Sequence, residues 1–255
     1  MLLITIKRKI PFIDLVHVFL AEEYEPELSQ KNIVVHVYSR NSGNSLQEST
    51  TYYVNLEKEE NELLQNMSKM NRYMLRRAKK EAYEVIIKDN PTDSDLKEFQ
   101  QFYNEFVKVK KICNINNFRL NTLRLLRDEK ALVFTKLQNT QGEALCYRIY
   151  LTDKNLVLNY YTCTAVWVQE RPDLKQEIRF ANRYLLWENM MLFKQRGFKI
   201  YDYGKITAVN EINKFKKDFG FKGAITYHGH ETQSLAGKVI IKLNIMRAQL
   251  MRKFV

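Results

Sequence analysis

The chain has 255 residues, of which 45% are hydrophobic and 27% charged, and its formal net charge is +12. That length suits one large domain or one and a half, and 8 Gly with 4 Pro exclude a linker-rich or low-complexity protein. Three widely spaced cysteines, Cys113, Cys146 and Cys163, argue against a disulfide framework and for a reducing compartment, so the expected location is cytoplasmic.

Taken in chain order, Leu2–Ile6 and Ile33–Tyr38 read as strands, with a helix-like stretch near Ile13–Glu23 between them. Lys7, Arg8, Lys9, Pro11, Asp14 and His17 interrupt the apolar N-terminus, a pattern of neither a signal peptide nor a membrane span. Residues 1–50 are expected to form an extension or partial lobe. Thr51–Leu56 is a strand by its alternation and β-formers. A helix from Lys58 to Glu81 follows, with Leu63, Met67, Met70, Met74 and Ala78 as its apolar stripe and Lys69, Arg72, Arg76 and Lys80 opposite. Tyr83–Ile87 is the next strand, Asp89–Thr92 a turn, and Thr92 or Asp93 the cap of a helix reaching Lys110.

Ala131–Leu137, Ala144–Leu151 and Leu156–Thr164 are strands joined by short connections, which predicts an antiparallel meander. A long helix over Leu174–Arg196 turns Phe180, Tyr184, Trp187 and Met191 to the core and is capped by Gly197. Lys199–Tyr203 is a strand, Asn210–Phe219 a helix stopped by Gly220, and Ala224–His228 a strand. The fold class is therefore α+β: a mixed central sheet with flanking helices over residues 51–230, followed by a basic amphipathic tail at 231–255. It is not the regular β–α alternation of a doubly wound nucleotide fold, and the Gly-x-Gly-x-x-Gly and Walker A motifs are absent.

Positive charge gathers in three places. Lys69 to Lys80 holds six Lys/Arg and no acid; Lys108, Lys110, Lys111, Arg119, Arg124 and Arg127 form a second group; Lys238, Lys242, Arg247, Arg252 and Lys253 a third. Such a balance favours nucleic acid, anionic lipid or a phosphate-bearing substrate, and equally fits solvated helix faces. In the tail the basic residues alternate with Val239, Ile240, Leu243, Ile245 and Leu250, the pattern of a peripheral membrane helix or of a helix packed on the core or a second subunit. The oligomeric state is open. His228-x-His230 lacks the further ligands of a metal site, and no nucleophile–histidine arrangement is legible.

One segment carries a sharper signal. Ala181-Asn182, Leu185, Trp187, Gly197, Tyr201-Asp202-Tyr203-Gly204 and Phe215-Lys216…Phe219-Gly220 together resemble the Fem family of peptidoglycan-bridge aminoacyltransferases, within the GNAT acyltransferase superfamily. Thr51–Leu56 followed by Arg72…Arg76-Arg77 resembles the family's strand and basic helix. The resemblance spans about residues 51–228. It implies a GNAT-like fold and N-acyl transfer to an amine of a cell-envelope precursor, amino sugar or peptide. The co-substrate would be acyl-CoA or aminoacyl-tRNA, with no permanently bound cofactor. A polyanion-binding module on the same fold is the non-catalytic alternative. Two departures stand out: the chain has room for one GNAT unit plus a partial lobe, and Thr164–Gln176 lacks the glycines that cradle a CoA pyrophosphate.

The resemblance also nominates residues. Lys216 is the catalytic candidate, contacting the oxyanion or a donor phosphate, against the alternative of a surface lysine beside Lys214 and Lys217. Asp202 is a candidate base or amine positioner, against the alternative of a carboxylate bracing the turn before Gly204. Arg72 and Arg76 would hold an anionic substrate group, Asn182, Trp187 and Tyr203 would bind substrate, and Tyr161 would line the acyl groove.

Overall fold

A computed structural model describes the chain except for residues 1–3, 11–12, 24–25, 44, 111, 167–171 and 244–255. The chain forms two compact units, one of residues 1–50 with 225–255 and one of residues 51–224.

The smaller unit is built on strands β1 (Ile4–Ile10), β2 (Ile13–Phe19), β3 (Asn32–Ser39) and the later part of β10 (Lys222–Glu231), with helix α1 (Pro26–Lys31). β1 and β2 pair antiparallel, β2 and β3 parallel across α1, and β3 and β10 antiparallel with a bulge between Tyr227 and Gly229. The helix expected near Ile13–Glu23 is a strand. Ile13, Val16 and Val18 are β-branched, and pairing on both sides satisfies the backbone that a helix would satisfy alone. Val16, Val18, Ala21 and Val34 form the unit's apolar cluster. Residues 235–243 are helical and leave Leu235, Val239 and Leu243 exposed at a spacing of four; the rest of the basic tail lies outside the described residues.

All four histidines of the chain sit on this unit's strands. Arg8 donates to His17 Nδ1 (3.1 Å), and His36 Nε2 lies 3.2 Å from Glu231 Oε2. Burial, the Arg8 charge and His230 together push the His17 pKa down to about 4. The sign follows directly. Above pH 6.5 His17 is neutral folded or unfolded; below it the unfolded chain takes up a proton that the folded unit refuses, so stability falls from pH 6.5 towards 4. Acid titration followed by amide exchange is expected to expose β2 and β3 in that window, and His17→Gln to flatten the slope. An unchanged slope in His17→Gln removes His17 as its source.

The larger unit carries strand β4 (Gln47–Asn55, from Thr51 onward), helices α2 (Glu60–Gln65) and α3 (Lys69–Ala78), β5 (Glu84–Lys88), α4 (Asp93–Lys110), α5 (Asn117–Asp128), β6 (Leu132–Gln138), β7 (Ala144–Asp153), β8 (Leu156–Thr164), α6 (Pro172–Gln195), β9 (Ile200–Lys205) and α7 (Asn210–Asp218). Its sheet runs β4-β9-β8-β7-β6-β5. β5 to β8 form an antiparallel meander, β9 joins β8 in parallel after the α6 crossover, and β4 closes on β9 antiparallel. The mixed sheet with flanking helices expected from the sequence is present.

Alternation along the strands assigns the helices to two faces. Val133, Tyr150 and Tyr201 pack with Leu63, Leu75, Trp187, Phe193 and Phe219, which are contributed by α2, α3, α6 and α7. Phe134 and Tyr147 point the other way, onto Phe99 of α4. Thr92 and Asp95 close a reciprocal cap at the start of α4: Asp95 N–H donates to Thr92 Oγ1 (3.2 Å) and Thr92 N–H to Asp95 Oδ2 (2.8 Å).

Two elements depart from expectation. The helix expected over Lys58–Glu81 is two helices, because Ser68 caps a new one through Asn71 N–H (3.3 Å). The restart changes the helical phase. Asn71, Leu75 and Ala78 become the buried stripe, and Met70 is left 58% exposed. Helix α5 has no counterpart among the expected elements; Asn116 caps it through Arg119 N–H (3.0 Å), and Leu120, Leu123 and Leu126 are buried.

Candidate active site

β8 and β9 pair only over Leu156–Leu158 against Ile200–Asp202, yet β8 continues to Thr164 and β9 to Lys205. The two strands separate beyond Asp202. A bulge sits on each side of the gap. Tyr160 is the extra residue of β8 against β7, and Tyr203 the extra residue of β9 against β4. Bulges end regular pairing and re-aim side chains. Here they open the sheet between two neighbouring parallel strands, the place where polar chemistry can reach the core of the unit.

Helix α7 delivers Lys216 to this opening. At 100° per residue Lys216 shares a face with Asn213 and Phe219, all three buried, whereas Lys214 and Lys217 turn away. Lys216 is 2% exposed. Its Nζ donates to the carbonyls of Gly204 (3.2 Å) and Lys205 (2.6 Å), and lies 5.3 Å from the Tyr52 ring and 5.2 Å from the Tyr203 ring. An ammonium has three donors, so one N–H is left over after the two carbonyls. Burial lowers the Lys216 pKa to about 8, against the opposing pull of Asp202.

Asp202 builds the turn that holds this lysine. Its Oδ1 accepts from Gly204 N–H (2.7 Å) and from Thr51 Oγ1 (2.5 Å), closing a side-chain turn over Tyr203. Gly204 takes φ +93°, a conformation that favours glycine. The turn aims the Gly204 and Lys205 carbonyls at Lys216. Asn213 pins the loop before α7, accepting from Thr207 N–H (2.9 Å) and donating to the Thr207 carbonyl (2.6 Å).

Beside Tyr203 lies Arg148 of β7, which sequence reasoning missed. It is 0% exposed. Its guanidinium donates to Thr162 Oγ1 (3.1 Å) and Asn182 Oδ1 (2.8 Å), and sits 5.3 Å from the Tyr203 ring. Burial opposes its charge while Tyr203, Tyr150 and Tyr201 support it, and the net direction of its pKa is upward. A strand position between Tyr147 and Ile149 reads as core, and nothing local to the sequence shows a buried cation there.

The remaining candidates separate. Asn182 and Tyr203 come together with Lys216 and Asp202 through Arg148 and the cation–ring contacts. Tyr161 packs against Phe99 and Tyr103 of α4, on the other face of the sheet from Lys216's aromatic neighbours. Trp187 is 1% exposed and packs inside the α6 core cluster. Arg72 folds back on the end of α2, donating to the carbonyls of Met67 (2.5 Å), Gln65 (3.1 Å) and Leu64 (3.4 Å). Arg76 is exposed on α3. No group of His, Cys, Asp and Glu that could hold a metal occurs among the described residues.

Solved structures share this architecture. FemX matches at TM-score 0.62 with 10% identity, over 88% of this chain and 83% of that one. The chain shares the fold of FemX. L-PGS from Bacillus licheniformis has the same fold at TM-score 0.56 and 12% identity, over 93% of this chain and 83% of that one. No protein-family model matches the sequence, and no curated protein matches it. At such identities the Fem-like likeness is one of fold alone, so the residues of the opening carry any chemical argument. No helix among the described residues is long and apolar enough to cross a membrane.

Proposed function

We propose that the chain is an N-acyltransferase, moving an acyl group from an ester or thioester donor to a primary amine. The observation that carries this reading is the buried ammonium of Lys216 at the opening between β8 and β9, held with one N–H to spare on a Fem-like fold. In the step, the amine nitrogen attacks the donor carbonyl and its π electrons move to oxygen. Collapse of the tetrahedral intermediate breaks the bond to the donor's oxygen or sulfur, and the proton lost by the amine passes to that leaving atom, so the donor departs as its alcohol or thiol. Charge grows on the carbonyl oxygen, and a fixed donor in a site shielded from water stabilises it. Lys216 supplies that donor. Asp202 acts through the turn, because its bond to Gly204 N–H sets the carbonyls that orient Lys216. Its charge also holds the lysine nearer to its protonated form.

Acceptors in this reading are amines of cell-envelope precursors, amino sugars or peptides, and the donor is aminoacyl-tRNA or acyl-CoA. The net charge of +12 and the absence of glycine between Thr164 and Gln176 favour the former. The test is donor consumption. Labelled aminoacyl-tRNA and acetyl-CoA are each incubated with the protein and a panel of primary amines, and amide product is measured. Product from one donor, lost in Lys216→Met, is expected. Absence of amide from both donors, with salt-sensitive RNA binding retained, points to a polyanion-binding module instead.

A further inference from the structure

Two arginines on α6 stand one turn apart, and among the described residues neither Arg179 nor Arg183 makes an ion pair. Like charges at this spacing repel, and their cost is removed when an anion binds both. Arg183 is also held still. Its Nε donates to Asn71 Oδ1 (2.8 Å), one terminal nitrogen donates to the Arg179 carbonyl (3.0 Å), and its guanidinium lies 5.0 Å from the Phe215 ring. The other terminal nitrogen is uncommitted, and Arg183 remains half-buried while Arg179 is exposed. Burial and the Arg179 charge push the Arg183 pKa down, against the opposing pull of Tyr203 and of Asp218, whose carboxylate pairs with Lys214.

The pair is also joined to the site. Phe215 precedes Lys216 on α7, and its ring is 6.0 Å from Tyr203, the ring that contacts Lys216 and Arg148. Asn182, next to Arg183, holds Arg148 from the inner side of the same helix.

We infer that Arg183, assisted by Arg179, binds a phosphate group carried by the substrate that reacts at Lys216. Two guanidinium groups match a phosphate dianion better than a carboxylate, because each can donate to a different oxygen and the charges balance. The attachment of that phosphate to a reacting substrate rests on the acyl-transfer reading; phosphate binding itself does not.

The probe is inorganic pyrophosphate, titrated calorimetrically into the full chain. Arg183→Gln is expected to weaken binding about tenfold and the exposed Arg179→Gln about threefold or more, with Lys217→Gln, an equal charge change outside the pair, costing under about twofold. Arg179→Gln removes no buried contact, so it answers even where Arg183→Gln is destabilised. A mononucleotide, a short RNA and phosphatidylglycerol vesicles, each tested against Arg179→Gln, distinguish the source of the phosphate. No pyrophosphate binding, or equal losses in Arg179→Gln and Lys217→Gln, overturns the inference. Retained phosphate binding without amide formation from any donor overturns the transfer reading alone.

Discussion

Lys216→Met is expected to lower amide formation about 10²- to 10³-fold, the range seen when a single oxyanion donor is lost. The substitution keeps an unbranched side chain of similar reach, so the packing against Tyr52 and Tyr203 is largely retained. Two effects on stability oppose each other. The carbonyls of Gly204 and Lys205 lose their donor, at about 1–3 kcal/mol per buried polar group left unpaired, and the cost of burying an ammonium disappears. The fold is therefore expected to survive, which thermal unfolding beside the activity assay checks.

The pH profile gives a second reading of the same residue. Oxyanion stabilisation needs the ammonium, so the rate should hold below pH 8 and fall as Lys216 deprotonates above it. Asp202→Asn removes the charge that favours the protonated form and should move this limb to lower pH. Because the folded pKa lies below that of an unfolded lysine, the unfolded chain binds more protons between pH 8 and 10.5. In that window this group makes stability rise with pH, opposite in direction to the rate. A Lys216→Met protein with full activity would end the assignment of Lys216 as oxyanion donor.

Trp187→Ala is expected to cost about 3–5 kcal/mol, a large part of the stability of an ordinary domain. Among the described residues Trp187 is the largest fully buried side chain, and it packs in the cluster that unites α2, α3, α6 and α7 over the sheet. Urea unfolding measures the loss directly as a lower midpoint. Substrate binding per folded molecule should not change. A stability loss below about 1 kcal/mol with a selective rise in KM would return Trp187 to the substrate.

Local signals of the sequence carried much of the fold. The meander was legible because its strands alternate and their connections are short. The start of α4 was legible because Thr92 caps it, and Gly197 and Gly220 end helices at φ +84° and +94° as glycine stops do. What was misread depends on partners. Ile13–Phe19 has enough apolar residues for a helix face and is a strand because β1 and β3 lie on either side of it. A single stripe from Leu63 to Ala78 takes no account of the cap at Ser68, and the break of three residues between Gln65 and Lys69 rotates everything after it. Helix α5 has its signal in Asn116 and the run Leu120, Leu123, Leu126.

For the site, the sequence by itself determined which residues lie at the ends of β9 and α7, and the family resemblance singled out Lys216 from Lys214 and Lys217. Asp202, Tyr203, Gly204 and Lys216 are close along the chain, so local rules reach them. Only the tertiary structure decided the rest. Arg148, Thr51, Tyr52 and Asn182 come from β7, β4 and α6, and Arg72 is drawn off to cap α2 while Arg183 settles on Phe215. A charged side chain takes the partner that best offsets its desolvation, and that partner is set by which strands and helices pack together, which no spacing along the chain records.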